Sequence, residues 1–340
     1  MKNQLTTLVV GEVGKSVRGT AAESKSEKSG PHYFPASVPH QVAIDTAKAN
    51  IKGKNVVFSI QGYEPDIAVI QATLDVSDIF DQKTISELEG LCYAESYTLL
   101  KARGGNEQYS ELYSIFRVSE YTGDPEQFLK SHAADIAGLL KSEKLPLDPK
   151  EIEYTISAQI KYAKYDLSIV DWDGAFLFDT EGDFGLAIEL LTLANLQLLR
   201  HRILDRKLDE RLSRITALVR RPEKKHFFRD KELASEVKNI IKDRITLISA
   251  FQSLERDLKL IGDWYSARFY DLAAKKFKLN EWRTSIKEKL ESIEEVYATF
   301  MDNFSVSEKD RAEWIEIIAW FVLQAGWFIL IILEFIYFTK

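Results

Sequence analysis

From Trp314 to Phe338 the chain is almost continuously apolar, and between Ile317 and Leu333 the only polar residue is Gln324. A helix needs about 20 such residues to cross a hydrocarbon core roughly 30 Å thick, so the run predicts a C-terminal transmembrane anchor over 307–340. Trp314, Tyr337 and Phe338 place aromatic rings near both ends, where a bilayer interface favours them. Ser307 with Asp310 three residues on resembles a capping box at the start of that helix.

The flanks predict orientation. Lys309 and Arg311 precede the run and only Thr339 and Lys340 follow it, which keeps the bulk of the chain on the side of synthesis. A single cysteine, Cys92, suits a reducing compartment better than a secreted domain. Met1 to Leu8 has no signal-peptide core, and Glu12, Glu23 and Glu27 interrupt any transit-peptide pattern. These features predict a single-pass protein of the bacterial inner (cytoplasmic) membrane with a cytoplasmic body.

Residues 1–30 read as a disordered lead-in, because Glu12 to Gly30 is rich in Ser, Gly, Lys and Glu. Residues 31–183 read as an α+β (or α/β) N-terminal domain. Strands are predicted at Val56–Ile60, Ile67–Leu74, Leu112–Val118, Glu153–Ile160, Leu167–Val170 and Ala175–Phe178, and a helical stretch from Asp124 to Leu140. Residues 184–306 read as a long antiparallel helical hairpin or coiled-coil stalk. Leu204, Leu208, Leu212, Ile215 and Val219 step by three or four, and the same spacing runs from Val237 through Phe269 and on to Phe304. Pro222 separates the two helices, and Gly262 and Lys278 to Asn280 mark bends.

The net charge of −7 argues against a surface that coats nucleic acid, and no DNA partner is expected. Local basic patches remain open, and the turn carrying Arg220, Arg221, Lys224, Lys225 and Arg229 is the candidate partner-binding tip for an anionic cytoplasmic partner such as structured RNA or a ribosome.

Two motifs fail on spacing. Gly11-Glu12-Val13-Gly14-Lys15-Ser16 has two residues between its glycines where a phosphate loop has four. The acids Asp171, Asp173, Asp179, Glu181 and Asp183 do not follow a calcium loop, and an acidic loop with Asp183 capping the next helix accounts for them better. The five histidines show no metal-ligand spacing. No catalytic residue, cofactor or metal site is predicted. Within the apolar run Glu316 and Glu334 stand five helical turns apart on one face, with Gln324 between them. In an oligomer they would form carboxylate rings of the kind that favour cations in a pore, although interfacial solvation explains them without one.

The stretch Leu167 to Asp179, with Trp172, Asp173 and Gly174, and the stretch Ala194 to Asp209, with Asn195, Arg200, Arg202 and Asp205, resemble the required-for-meiotic-nuclear-division family of bacterial and mitochondrial proteins. The resemblance continues through Glu313 to Ile318 and covers roughly the last 230 residues. It implies a membrane-anchored, self-associating protein without established catalysis. Its mitochondrial members are tied to the inner membrane and to support of organelle translation, and no catalytic residue is carried over. An architectural likeness to magnesium channels of the CorA type is weaker, since those have two membrane helices and a Gly-Met-Asn loop that this chain lacks. The sequence therefore predicts a non-enzymatic, homo-oligomeric, tail-anchored scaffold contacting the lipid bilayer, with a cation channel as the alternative.

Overall fold

The computed structural model describes residues 1–14, 17, 19–21, 41–143, 145–220, 235, 238, 239, 242 and 264–338. The chain divides into two compact units, Met1–Lys207 with Thr246–Ile286, and Leu208–Ile245 with Lys287–Lys340.

The first unit is built on a nine-stranded sheet among the described residues. In chain order the strands are β1 (Lys2–Val13), β2 (Thr20–Ala21), β3 (Gln41–Ile51), β4 (Lys54–Tyr63), β5 (Ile67–Val76), β6 (Gly105–Ser119), β7 (Gln159–Ile160), β8 (Asp166–Val170) and β9 (Gly174–Asp179). They lie in the order β2-β3-β4-β5-β1-β6-β9-β8-β7. Every neighbouring pair is antiparallel except β6 and β9, which run parallel. Local chemistry sets the first hairpin: Lys52 and Gly53 both have positive φ, at 49° and 77°, as a two-residue primed turn requires. Asn50 Oδ1 accepts from Gly53 N at 2.9 Å and closes that turn. The parallel pair needs a crossover. Helices α2 (Pro125–Ser131), α3 (Ala133–Leu140) and α4 (Pro149–Ser157), followed by β7 and β8, supply it.

Helices cover both faces. On one side α1 (Gln82–Lys101) starts where Asp81 accepts from Thr84 N and buries Ile85, Leu88, Cys92, Ser96 and Leu100 at helical spacing. With α2 and α3 it packs on Leu5, Val9, Phe116 and Phe176 of the sheet. On the other side α5 (Gly185–Arg220), α6 (Trp264–Lys276) and the first turn of α7 (Leu279–Phe338) cover Leu8, Val10, Tyr113, Ile115 and Leu177. Adjacent residues of β1, β6 and β9 thus face opposite cores, and both faces are buried, which is why these strands read as near-continuous apolar runs.

Several expectations are corrected. The lead-in placed at residues 1–30 begins with β1, the central strand of the sheet; most of its remainder lies outside the described residues. Glu153 to Ile160 is not one strand: Asp148 caps α4 through Lys150 N, Pro149 opens it, and only Gln159–Ile160 is extended. Among the described residues no long coiled-coil hairpin is evident. The apolar spacing of α5 and α6 instead marks helices lying on a sheet, since Leu191, Leu198, Phe269 and Ala273 are buried in the core of that face. A stripe at three- and four-residue steps is the same whether a helix meets a helix or a sheet. Val237, Gly262 and most of the second predicted helix lie outside the described residues. The chain does break at Lys278, whose φ of 50° separates α6 from α7.

The membrane anchor is also corrected, and with it the tail-anchored, single-pass inner-membrane localisation. Among the described residues no helix is long and apolar enough to cross a membrane. The apolar run is no separate helix capped at Ser307 but the end of the 60-residue α7, which is continuous from Leu279.

Candidate functional site

The middle of α5 brings a row of cations to one end of the central strands. Arg200 Nη2 donates to Glu64 O at 2.7 Å. Arg202 Nη1 reaches both carboxylate oxygens of Glu111 on β6, each at 2.6 Å. Arg206 lies over the Tyr109 ring, 5.5 Å from its centroid, and Lys207 Nζ is 3.4 Å from Glu12 Oε1 on β1. Glu111 is buried, and burial pushes its carboxyl above the ordinary range while Arg202 opposes the shift.

Next to this row, the end of β1, the β4–β5 turn and the start of β6 line an open cavity of about 470 Å³. Glu12, Gly14, Pro65, Asp66, Asn106 and Tyr109 line it. The Asp66 carboxyl is raised first by burial and then by Glu12, against the pull of Arg200 and Lys207. Among the described residues no group of three or more His, Cys, Asp or Glu side chains could hold a metal ion.

A second ionic centre lies at the β8–β9 turn, where Asp171 is buried. One of its oxygens is 3.1 Å from Lys276 Nζ of α6, and the other is 3.0 Å from Lys141 Nζ at the end of α3. Lys141 also pairs with Glu151 of α4 at 3.0 Å. Burial works against the Lys141 charge, but its two carboxylate partners outweigh that and raise its pKa. The Tyr113 hydroxyl donates to Asp171 O at 3.1 Å, and Asp171 N donates to Gly174 O at 2.9 Å. Gly174 is needed for space, because a Cβ there would sit 2.9 Å from Ser114 O. This node ties helices from both faces to one turn and has the character of a structural clamp.

The structure separates the residues singled out in the sequence. Trp172, Asp173 and Gly174 form the clamp turn, with Trp172 edge-on to Phe277 at 6.3 Å. The Asp173 carboxyl is raised by burial and by Asp171. Arg200 and Arg202 belong to the α5 row, Asn195 donates inside the helix to Leu191 O at 2.9 Å, and Asp205 accepts from Ser285 at 3.3 Å. Asp179, rather than Asp183, organises the acidic loop, accepting from Glu181 N and Gly182 N at 2.8 and 2.7 Å. Glu316 and Gln324 are exposed on α7. Of Glu334 and Arg220 only the backbone is described, while Arg221, Lys224, Lys225 and Arg229 lie outside the described residues. Sequence reasoning missed Glu12, Asp66 and Glu111, whose partners on α5 are up to 195 positions away.

Two exposed surfaces complete the inventory. On α7 Ile315, Ile318, Phe321, Leu323, Trp327 and Leu330 all face solvent. At the β7–β8 connection Tyr162 and Tyr165 are exposed, and Tyr162 lies beside Trp264 of α6.

Residues 2–184, which hold the whole sheet, match the family described as "Uncharacterized protein MJ0711, N-terminal domain". The chain belongs to the MJ0711 N-terminal-domain family. A relative, Uncharacterized protein MJ0711 of Methanocaldococcus jannaschii, is 30% identical over 223 residues, or 66% of this chain and 65% of the relative. The match thus spans slightly under two thirds of that relative's length. No solved structure matches. The MJ0711 domain ends at Phe184, so it contains Glu12, Asp66, Glu111 and the Asp171 turn but not the α5 cations that meet them.

Proposed function

We propose that the protein is a non-enzymatic, self-associating scaffold whose copies are held together by the apolar end of α7, leaving the MJ0711 domain to meet partners. The observation that carries this reading is the exposure of the described apolar side chains between Ile315 and Ile331 in a single copy: Leu323 is 73% and Trp327 71% exposed. The exposed apolar residues include the consecutive run Trp320 to Leu323, so they occupy every side of the helix. Soluble chains rarely leave so large an apolar surface uncovered, and a helix apolar all round belongs inside an assembly. At about 150–250 Å² for each aromatic ring and somewhat less for each aliphatic side chain, the run offers on the order of 1,000 Å², enough for a stable interface. One partner covers one stripe only, so the assembly contains three or more copies. Gly326 leaves room for a neighbouring helix, since among the described residues a Cβ there meets nothing within 4 Å beyond its own turn of helix. Self-association is also what the resemblance to the meiotic-division family implies.

The test is sedimentation velocity of the full chain beside Leu323→Glu and Leu330→Glu. The wild type is expected as a closed assembly and both variants as smaller species with an unchanged circular dichroism spectrum. A wild type that sediments as one copy would sink the proposal.

A further inference from the structure

The edge of the sheet carries a second exposed surface that self-association through α7 does not use. The β7–β8 connection is held by Asp166, whose carboxylate accepts from Tyr162 N at 2.8 Å and from Ala163 N. This turn fixes the backbone that projects Tyr162 and Tyr165 outward, where they are 63% and 51% exposed. Trp264, at the start of α6, is 58% exposed and lies nearly parallel to Tyr162, with ring centroids 6.0 Å apart and planes 25° apart. Cations stand among the rings: Lys164 Nζ is 5.3 Å from the Tyr165 centroid, and the Arg268 guanidinium is 5.7 Å from that of Trp264.

Helix α6 continues the pattern. Trp264, Arg268 and Lys275 fall within a narrow arc of the helix at 100° per residue, and Lys278 follows at its end. Asp271 is the acid on that arc. A chain of net charge −7 therefore sets a locally basic, ring-bearing strip along one edge. Preset rings interleaved with Lys and Arg are what a flexible polyanion with flat bases needs: the rings stack bases and the cations track phosphates.

We propose that this strip, centred on Tyr162, Tyr165, Trp264 and Arg268, is a binding surface for single-stranded RNA. The tyrosine hydroxyls at the ring edges favour RNA over DNA, because they can hydrogen-bond a 2′-hydroxyl. The surface is independent of α7, so either proposal stands if the other fails.

The test is fluorescence anisotropy of a labelled oligouridylate of about 12 nucleotides, within the usual site size, titrated with the full chain. Tyr162→Ala and Trp264→Ala are each expected to weaken binding about 5- to 100-fold, the loss of one stacked base. Arg268→Glu, at an exposed position that spares the fold, weakens it as well, whereas Asp271→Asn tightens it. The logarithm of affinity falls with the logarithm of salt at a slope of about −2, for the three cations Lys164, Arg268 and Lys275. The proposal is overturned if anisotropy does not change, if Arg268→Glu and Tyr162→Ala bind like the wild type, if oligothymidylate binds as tightly, or if a proline-rich peptide alone occupies the strip.

Discussion

Arg202 and Glu111 are 91 positions apart, yet one guanidinium nitrogen of Arg202 lies 2.6 Å from both oxygens of the buried Glu111 carboxylate. The pair fastens α5 to β6, next to the central strand. Removing the cation alone leaves a buried acid without its partner. Arg202→Leu is expected to cost about 1–3 kcal/mol in urea unfolding, since the arginine side is half exposed. The double change Arg202→Leu with Glu111→Gln is expected to recover part of the loss. A double-mutant cycle checks this, and additive effects would show that the two residues do not act as a pair.

Asp171 is a stricter case, because it serves Lys141 and Lys276 from opposite faces of the sheet. Asp171→Asn keeps the shape but removes the charge both ammonium groups face. A loss of about 3–5 kcal/mol is expected from breaking a buried ionic node at one member. Thermal unfolding reads it, and a change below about 1 kcal/mol would place the two lysines in solvent instead.

Glycines separate fold from assembly. Gly174→Ala pushes a Cβ to 2.9 Å from Ser114 O and is expected to destabilise the chain by about 1–3 kcal/mol. Gly326→Ala enters open space inside a helix and is expected to stabilise the single chain by about 0.5–1 kcal/mol, while loosening contact between α7 helices. Parallel melts and sedimentation distinguish the two effects.

Burial raises the Glu89 carboxyl on α1 above its ordinary 4.5, with a hydrogen bond to Ser114 opposing. The folded chain therefore binds this proton more tightly than the unfolded chain. Between 4.5 and the raised value the native state carries more protons, so this residue's contribution to stability grows as pH falls and is lost as pH rises through the raised value. Glu89→Gln is expected to remove that slope. Guanidinium unfolding of both proteins near about pH 7 and near about pH 5 tests it, and identical slopes would refute the assignment.

Much of the sheet is legible in the sequence because its strands are either near-continuous apolar runs, as in β5 and β9, or alternate apolar with polar residues, as in β4. Val56–Ile60, Ile67–Leu74, Leu112–Val118, Leu167–Val170 and Ala175–Phe178 all fall inside observed strands. β1 is not read from the sequence because Met1 to Leu8 is tested only for a signal-peptide core and residues 1–30 are assigned to a disordered lead-in, although the run Thr6-Thr7-Leu8-Val9-Val10 is strand-like in composition. α1 went unread because its buried stripe includes Cys92 and Ser96, which blur the apolar period. The helical spacing of α5 and α6 was visible, but what covers a stripe is a tertiary fact that spacing does not encode. The sites were least legible of all, since Glu12, Asp66 and Glu111 acquire meaning only from α5 residues far along the chain.

The most direct measurement for the scaffold is the mass of the full chain in solution by multi-angle light scattering over a range of concentrations. A discrete assembly of at least three copies of the 39.0 kDa chain that persists on dilution is expected. A stable single copy of 39.0 kDa would show that the exposed end of α7 does not hold copies together and would contradict it.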